Sequence, residues 1–231
     1  MHSISLNKFI SSTGVCSRRE ADKWIEAGRV TINGKKTTKG NRVEPSDTVR
    51  VDGKPLISKP KPVYLKFNKP PGITCTTDLK DKSNIIDFIN HKQRIFPIGR
   101  LDKNSTGLIL LTNDGDIVNE ILRKENNHEK EYVVSVNKPI TEGFLKRMTR
   151  PIPMLGTKTL PCKIKRINHN TFKIILTQGL NRQIRRMCEF CDYKVVTLKR
   201  IRIKHIKLGE LKVGKWESLS AKDIKQFRTV K

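Results

Sequence analysis

The chain has 231 residues, of which 48 are Lys or Arg and 22 are Asp or Glu, so its formal net charge is +26. So large a positive excess repels itself unless a polyanion binds it, and RNA, DNA or anionic lipid is therefore the expected partner. No apolar run reaches the length of a membrane-spanning helix, and the first residues lack the apolar core of a signal peptide. The cations are spread along the whole chain and are not confined to a tail. This distribution favours a folded protein that binds nucleic acid.

The five cysteines are odd in number and scattered, which argues against a disulfide framework. We therefore expect a reducing compartment, the cytoplasm. Cys188 and Cys191 form a Cys-x-x-Cys pair, but no second pair or nearby histidine completes a zinc site, and no metal site is predicted. We interpret the two thiols as packing groups on an amphipathic helix, with a redox function as the alternative.

The first 55 residues predict a small module of two helices that lead into a sheet. Apolar spacing predicts a helix over residues 5–13 and a second helix that begins after Ser17, which forms a capping box with Glu20. An Asn-Gly turn at residues 33–34 predicts a hairpin, and a further strand covers residues 48–53.

Residues 59–62 contain two prolines and two lysines in Lys-Pro-Lys-Pro and predict a stiff linker. We therefore expect an N-terminal domain over residues 1–58 and a second domain over residues 63–231.

The second domain mixes hairpin-linked strands with interspersed helices, which favours an α+β fold over strict βαβ alternation. Strands or extended segments are predicted at residues 64–67, 73–77, 95–98, 106–112, 130–136, two within 160–177, 195–198 and 201–203. Helices are predicted at residues 85–89 with Ser83 as cap, after 113–116, around 144–148, after 179–182, and at 221–227.

One polar loop lies between two of the buried strands, bracketed by Gly99 and Gly107. It carries a single carboxylate, Asp102, between Arg100 and Lys103. Loops held by rigid strands often carry catalytic groups, and nearby positive charge keeps a carboxylate ionised. The alternative is that Asp102 only caps a turn or pairs with Arg100.

Residues 179–187 predict a strand end, a turn and a helix with cations near its first turn. The helix dipole makes that position unfavourable for positive charge. We therefore expect a compensating anion there, either a carboxylate of the fold or a phosphate.

The N-terminal module resembles the S4 RNA-binding domain in three segments, residues 6–10, 16–22 and 28–34. The resemblance implies that this domain binds RNA, and that its basic side chains contact phosphates. The cations available for this are Lys8, Arg18, Arg19, Lys23, Lys35 and Lys36. The alternative is that they are ordinary solvated surface charges.

The rest of the chain resembles the RsuA/RluB/RluE/RluF family of pseudouridine synthases, which joins an S4 domain to a catalytic domain with a mixed, mostly antiparallel sheet flanked by helices. The matching motifs lie at residues 68–72, 99–102, 105–108, 111–115, 130–132 and 181–187. The resemblance implies isomerisation of a uridine within RNA. This reaction is redox-neutral, so we expect no cofactor and no metal.

The resemblance also implies roles for individual residues. Asp102 would be the nucleophile at C1′ or C6 of the nucleotide, Arg185 would pair with it, and Tyr132 would stack on the base and serve as acid or base. Predicted substrate contacts are Arg100, Lys103, Arg182, Leu198 and Lys69. For Tyr132 a purely structural core position is the alternative.

The resemblance is nearest to the large-subunit members of the family, which implies a uridine of 23S rRNA in the peptidyl-transferase region. Another rRNA site, a tRNA anticodon loop, or a non-catalytic ribosome-assembly function are the alternatives. A monomer is expected, because the sequence contains no obvious exposed apolar face.

Overall fold

The computed structural model describes residues 3–57, 60–122 and 128–228. The chain divides into two compact units. The first contains Met1–Val63 together with His91–Arg94 and Asn113–Gly115, and the second contains Tyr64–Asn90, Ile95–Thr112 and Asp116–Lys231.

The side chain of Asn113 explains why two short segments group with the first unit. It accepts the backbone N–H of Val63 at 2.8 Å and donates to the carbonyl of Lys61 at 3.0 Å and to the side-chain oxygen of Gln93 at 2.7 Å. The predicted linker at residues 59–62 stays a prediction, since residues 58 and 59 lie outside the described ones.

The first unit has the two helices and the hairpin that the sequence predicts, with short additional strands. Its elements are β1 (Ile4–Ser5), α1 (Leu6–Ser12), α2 (Arg18–Glu26), β2 (Val30–Ile32), β3 (Lys35–Lys36), β4 (Arg42–Val43), β5 (Val49–Val51) and β6 (Lys54–Pro55). Ser17 caps α2 by accepting the N–H of Glu20 at 3.1 Å. Asn33 and Gly34 adopt φ values of 50° and 78°, as the tight β2–β3 turn requires.

The second unit begins with β7 (Tyr64–Lys69), and its elements follow the α+β order that the sequence predicts. They continue as α3 (Ile85–Ile89), β8 (Phe96–Ile98), β9 (Thr106–Thr112), α4 (Gly115–Leu122), β10 (Lys130–Val136), α5 (Glu142–Thr149), β11 (Pro153–Met154), β12 (Thr157–Lys158), β13 (Lys163–Asn168), β14 (Thr171–Leu176), α6 (Gln183–Phe190), β15 (Val195–Ile203), β16 (Ile206–Lys207), β17 (Trp216–Ser218) and α7 (Ala221–Arg228). Within the described ranges, no helix is both long enough and apolar enough to cross a membrane.

These strands form a mixed, mostly antiparallel sheet in the order β13-β14-β10-β15-β9-β7-β17, with β16 beside β15 and β8 beside β9. The pairing of β9 with β15 is parallel, and the other pairings in this sheet are antiparallel. β9 is buried along nearly its whole length, as its continuous apolar run predicts for a central strand.

One local prediction is wrong, and two predicted segments differ in detail from the observed ones. The cap of α3 is Asn84, whose side chain accepts the N–H of Asp87 at 2.8 Å, whereas Ser83 lies in the preceding turn. Residues 73–77 form no strand and contribute one isolated bridge, between Thr74 and Asn84. Residues 195–203 form one continuous strand rather than two.

The centre of the sheet depends on a close approach of β9 to β15 at Gly107. This glycine has a φ of 95° and pairs with Arg200. A Cβ at position 107 would overlap the carbonyl oxygen of Arg200 and lie 2.9 Å from its backbone nitrogen. Only glycine therefore fits where the loop that carries Asp102 enters the sheet.

We expect Gly107→Ala to lower the free energy of unfolding by more than ~2 kcal/mol, because backbone strain and a clash with rigid backbone add together. Gly209→Ala is the matched control, since Gly209 has a φ of 59° but nothing within 4 Å of an added Cβ. Urea denaturation of both variants measures the difference. Equal losses would show that the approach of β9 to β15 is not a tight constraint.

Candidate active site

A cavity of about 490 Å³ in the second unit is lined by the β8–β9 loop, β10, the end of β14, the first half of α6, and β15. Six of the residues that the sequence assigns to the site line it, namely Arg100, Asp102, Tyr132, Arg182, Arg185 and Leu198. The β8–β9 loop and α6 are distant in sequence, and the parallel pairing of β9 with β15 brings them to one end of the sheet.

The carboxylate of Asp102 faces two guanidinium groups of the α6 region. Its Oδ2 lies 3.8 Å from Nε of Arg185 and 3.9 Å from Nη1 of Arg182. Both distances exceed those of a charge-assisted hydrogen bond, about 2.8 Å. The carboxylate thus has compensating charge without a direct hydrogen bond from either guanidinium, and its side chain remains 34% exposed.

The alternative of a turn-capping or Arg100-paired aspartate does not describe this geometry. The turn closes through the backbone, since the carbonyl of Asp102 accepts the N–H of Ser105 at 2.9 Å. Among the described residues, the ion pairs of Asp102 are with Arg182 and Arg185.

Asp102 is also the anion expected beside the cations at the start of α6. Arg182 caps this helix in a left-handed conformation with a φ of 50°. The turn before it is held by Gln183, which accepts the N–H of Leu180 at 3.0 Å and donates to Gln178 at 3.3 Å. The predicted compensation by a carboxylate of the fold is confirmed.

Arg185 is fixed by long hydrogen bonds on both sides of its guanidinium. Nη2 lies 3.4 Å from Oγ of Ser105 and Nη1 lies 3.4 Å from the carbonyl of Val195. Its Nε is buried without a hydrogen-bond partner and faces Asp102. A small movement of the carboxylate would complete this hydrogen bond.

Tyr132 and Leu198 form an apolar part of the cavity wall. Both are buried, on the adjacent strands β10 and β15. An aromatic ring in this wall can stack on a planar ligand in the cavity.

Lys69 requires a correction, because it is fully buried and does not line the cavity. Its ammonium donates to the carbonyls of Pro70 and Ile73, both at 2.8 Å, and of Lys103 at 3.0 Å. Burial lowers the pKa of Lys69. This lysine holds the backbone next to Asp102, a positioning role instead of the predicted substrate contact. Lys103 is exposed, and its side chain also lies outside the cavity lining.

Several polar residues of the cavity wall were given no role from the sequence, and Ser105, Lys130 and Arg200 are among them. Ser105 is buried and accepts the hydrogen bond from Arg185. Lys130 and Ser105 lie within the matched motifs but received no role. The signal for Arg200 was its spacing, since it lies two residues after Leu198 in a strand and must share its face.

The cations predicted to bind RNA lie in the first unit, whereas the residues that line the cavity belong to the second unit. Arg18, Arg19, Lys23, Lys35 and Lys36 are exposed, and Lys8 is half-buried. Lys23 has an exposed ion pair with Glu20 at 3.5 Å, which contributes little in water. Their exposure suits contact with phosphates.

Of the Cys-x-x-Cys pair, Cys188 has the packing character that the sequence predicts, whereas Cys191 follows α6 and is half-buried. Cys188 is buried in α6, and burial raises the pKa of its thiol to about 12. Such a thiol is a poor nucleophile, which disfavours the redox alternative. Across the ranges that the structure describes, no group of three or more His, Cys, Asp or Glu residues could hold a metal ion.

Comparisons with known proteins identify relatives for both units. A family model described as RNA pseudouridylate synthase matches residues 63–190, and an S4 domain model matches residues 5–49. The chain is 52% identical over 220 residues to the dual-specificity RNA pseudouridine synthase RluF of Escherichia coli K12, covering 94% of this chain and 76% of that protein.

A second relative, the ribosomal large subunit pseudouridine synthase B of Bacillus subtilis 168, is 36% identical over 234 residues, covering 97% of this chain and 96% of that protein. A crystal structure of a pseudouridylate synthase superposes with a TM-score of 0.72 at 28% identity, covering 97% of this chain and 100% of that one.

We expect Lys69→Met to lower the free energy of unfolding by about 2 kcal/mol, because it leaves buried carbonyls without their donor. Amide hydrogen exchange across residues 99–106 should accelerate as the loop loses its anchor. Lys66→Met is the control, since Lys66 lies on the same strand and its mostly buried side chain pairs with Glu217 of the neighbouring strand β17. Unchanged exchange in the Lys69 variant would contradict the positioning role.

Proposed function

The chain belongs to the RNA pseudouridylate synthase family and carries an S4 domain, and from this premise we propose that Asp102 is the nucleophile with which it isomerises a uridine of 23S rRNA. The protein is an isomerase whose substrate is RNA. One observation carries the assignment of Asp102. Its carboxylate lies in the cavity at 3.8 Å and 3.9 Å from two guanidinium groups, without a hydrogen bond to either.

Such a carboxylate is suited to covalent attack. The two guanidinium groups leave its lone pairs free of a direct hydrogen bond, so these lone pairs can approach C1′ or C6 of a nucleotide. The bond between C1′ and N1 breaks, and its electron pair passes to the base. After the base rotates, C5 bonds to C1′, the bond between Asp102 and the nucleotide breaks and releases the carboxylate, and the proton on C5 is lost while N1 gains one. No electrons enter or leave, so the reaction is balanced without a redox partner.

The residues around Asp102 have different roles in the proposed reaction. Arg185 fixes the carboxylate and supports its charge, and Tyr132 stacks on the base and handles a proton. A base within folded RNA must leave its stack to enter such a cavity. We assign the contacts to the extruded nucleotide and its flanking phosphates to Arg100, Lys103, Arg182 and Leu198.

The names of two relatives support the proposed choice of RNA. The Bacillus relative is named for the large ribosomal subunit, and the Escherichia relative is named as dual-specificity. We therefore propose a uridine of 23S rRNA as the main target, in the peptidyl-transferase region that the sequence resemblance implies, and a tRNA as a second substrate. The six S4 cations would hold the surrounding RNA through its phosphates.

We further propose that the enzyme acts as a monomer in the cytoplasm, where ribosomal RNA is assembled. The monomer is supported by one chain supplying all the proposed reactive groups to one cavity.

We expect Asp102→Asn to lower the single-turnover rate of pseudouridine formation by at least ~10⁴-fold, because the amide lacks the nucleophilic charge. RNA affinity and melting temperature should stay close to the wild-type values. Asp192→Asn, which removes an exposed carboxylate just after α6, is the matched control and should keep full activity.

Full activity of Asp102→Asn would contradict the assignment and leave the catalytic group elsewhere. Chemical mapping of pseudouridine in total RNA, with and without the gene, tests the target. If loss of the gene removes a pseudouridine from another RNA but none from 23S rRNA, the proposed main substrate is contradicted.

A further inference from the structure

Arg200 is a buried cation in the cavity wall that the mechanism so far does not use. The residue is 4% exposed. Its Nε donates to the carbonyl of Leu108 at 2.7 Å, and its Nη2 is buried with no hydrogen-bond partner. A buried guanidinium normally has a carboxylate partner, because an uncompensated charge is costly to remove from water.

A second cation, Lys130, lines the same cavity as Arg200. Its ammonium reaches the carbonyls of His128 and Thr177 at 3.3 Å and 3.5 Å, which are long hydrogen bonds. Burial and the positive charge of Arg200 both lower the pKa of Lys130. Within the described part of the chain, neither cation forms an ion pair with a carboxylate, although other arginines and lysines of this unit do.

The sheet register places these charges beside the proposed base-binding residue. Tyr132 on β10 pairs with Arg200 on β15, which in turn pairs with Gly107 on β9. Cross-strand neighbours share a face of the sheet. Tyr132, Lys130, Arg200 and Asp102 all line the same cavity. A planar base that stacks on Tyr132 therefore lies next to two uncompensated positive charges.

The chemistry of the reaction supplies a partner for these charges. Attack at C1′ leaves the electron pair of the broken glycosidic bond on the base, and its charge spreads to the carbonyl oxygens O2 and O4. Attack at C6 instead places charge on O4. Negative charge therefore develops on a pyrimidine carbonyl oxygen by either route.

We propose that Arg200, assisted by Lys130, binds a carbonyl oxygen of the target uracil and stabilises the negative charge that develops there. This inference rests on the proposed function. Preorganised donors aimed at developing charge act most strongly where water is excluded. A phosphate is a less suitable partner, because the backbone of the nucleotide would meet the exposed Arg100 and Arg182 before this buried guanidinium.

The test compares Arg200→Met with Lys199→Met in the full-length protein. Lys199 is exposed on the same strand, and its substitution removes the same charge from the surface. Single-turnover rates are measured at saturating RNA that carries uridine, 2-thiouridine or 4-thiouridine at the target position. Sulfur accepts hydrogen bonds more weakly than oxygen, so each thio substitution weakens one carbonyl contact.

We expect Arg200→Met to react at least ~100-fold more slowly than wild type on uridine, with RNA affinity little changed, and Lys199→Met to keep the wild-type rate. On one of the two thio substrates, the ratio of the wild-type rate to the Arg200→Met rate should fall below ~10-fold. Sulfur at that position already weakens the contact in the wild-type protein, so removal of Arg200 costs less. A purely structural arginine would give the same ratio on all three RNAs, and that result overturns the proposal.

A loss confined to RNA affinity, with a weaker salt dependence, would assign Arg200 to a phosphate and also overturn the proposal. If Arg200→Met does not fold, Lys130→Met is judged by the same ratio. If the wild-type protein forms no pseudouridine, the proposed function is refuted. If the wild-type protein and Arg200→Met are equally active, only the inference about Arg200 is refuted.

Discussion

The placement of Asp102 opposite the start of α6 is the interaction on which the rest of the site depends. Two guanidinium groups face its carboxylate at 3.8 Å and 3.9 Å, near enough to compensate its charge and too far to form a hydrogen bond. A closer pairing would use the lone pairs that attack requires, and a more distant one would lose the charge compensation.

Backbone constraints hold both sides of that separation. On the loop side, the ammonium of Lys69 binds the carbonyl of Lys103, and Gly107 allows β9 to approach β15. On the helix side, Gln183 closes the turn before α6. Ser105 joins the two sides through its contact with Arg185. The reactive group therefore lies on a loop, but its neighbours are fixed by strands and a helix.

The sequence predicts the elements and caps that have local signals, but it does not predict which charged side chains are buried by tertiary packing. The apolar run of β9 and the capped helix α2 have strong local signals, and the cations of α6 predicted a nearby anion. The roles of Lys69 and Arg200 could not be predicted in this way, because most lysines and arginines are exposed and no local sequence signal marks these two as buried. The cap of α3 was wrong by one residue, since Ser83 and Asn84 both have suitable side chains.

The most direct measurement is the distance between the Asp102 side chain and the target nucleotide in a crystal structure of Asp102→Asn bound to an RNA hairpin. The account predicts an extruded uridine stacked on Tyr132, with C1′ or C6 about 3–3.5 Å from the residue 102 side chain, the range expected of reacting atoms. A uridine that stays stacked in the RNA, or that binds outside this cavity with residue 102 out of reach, would contradict the account.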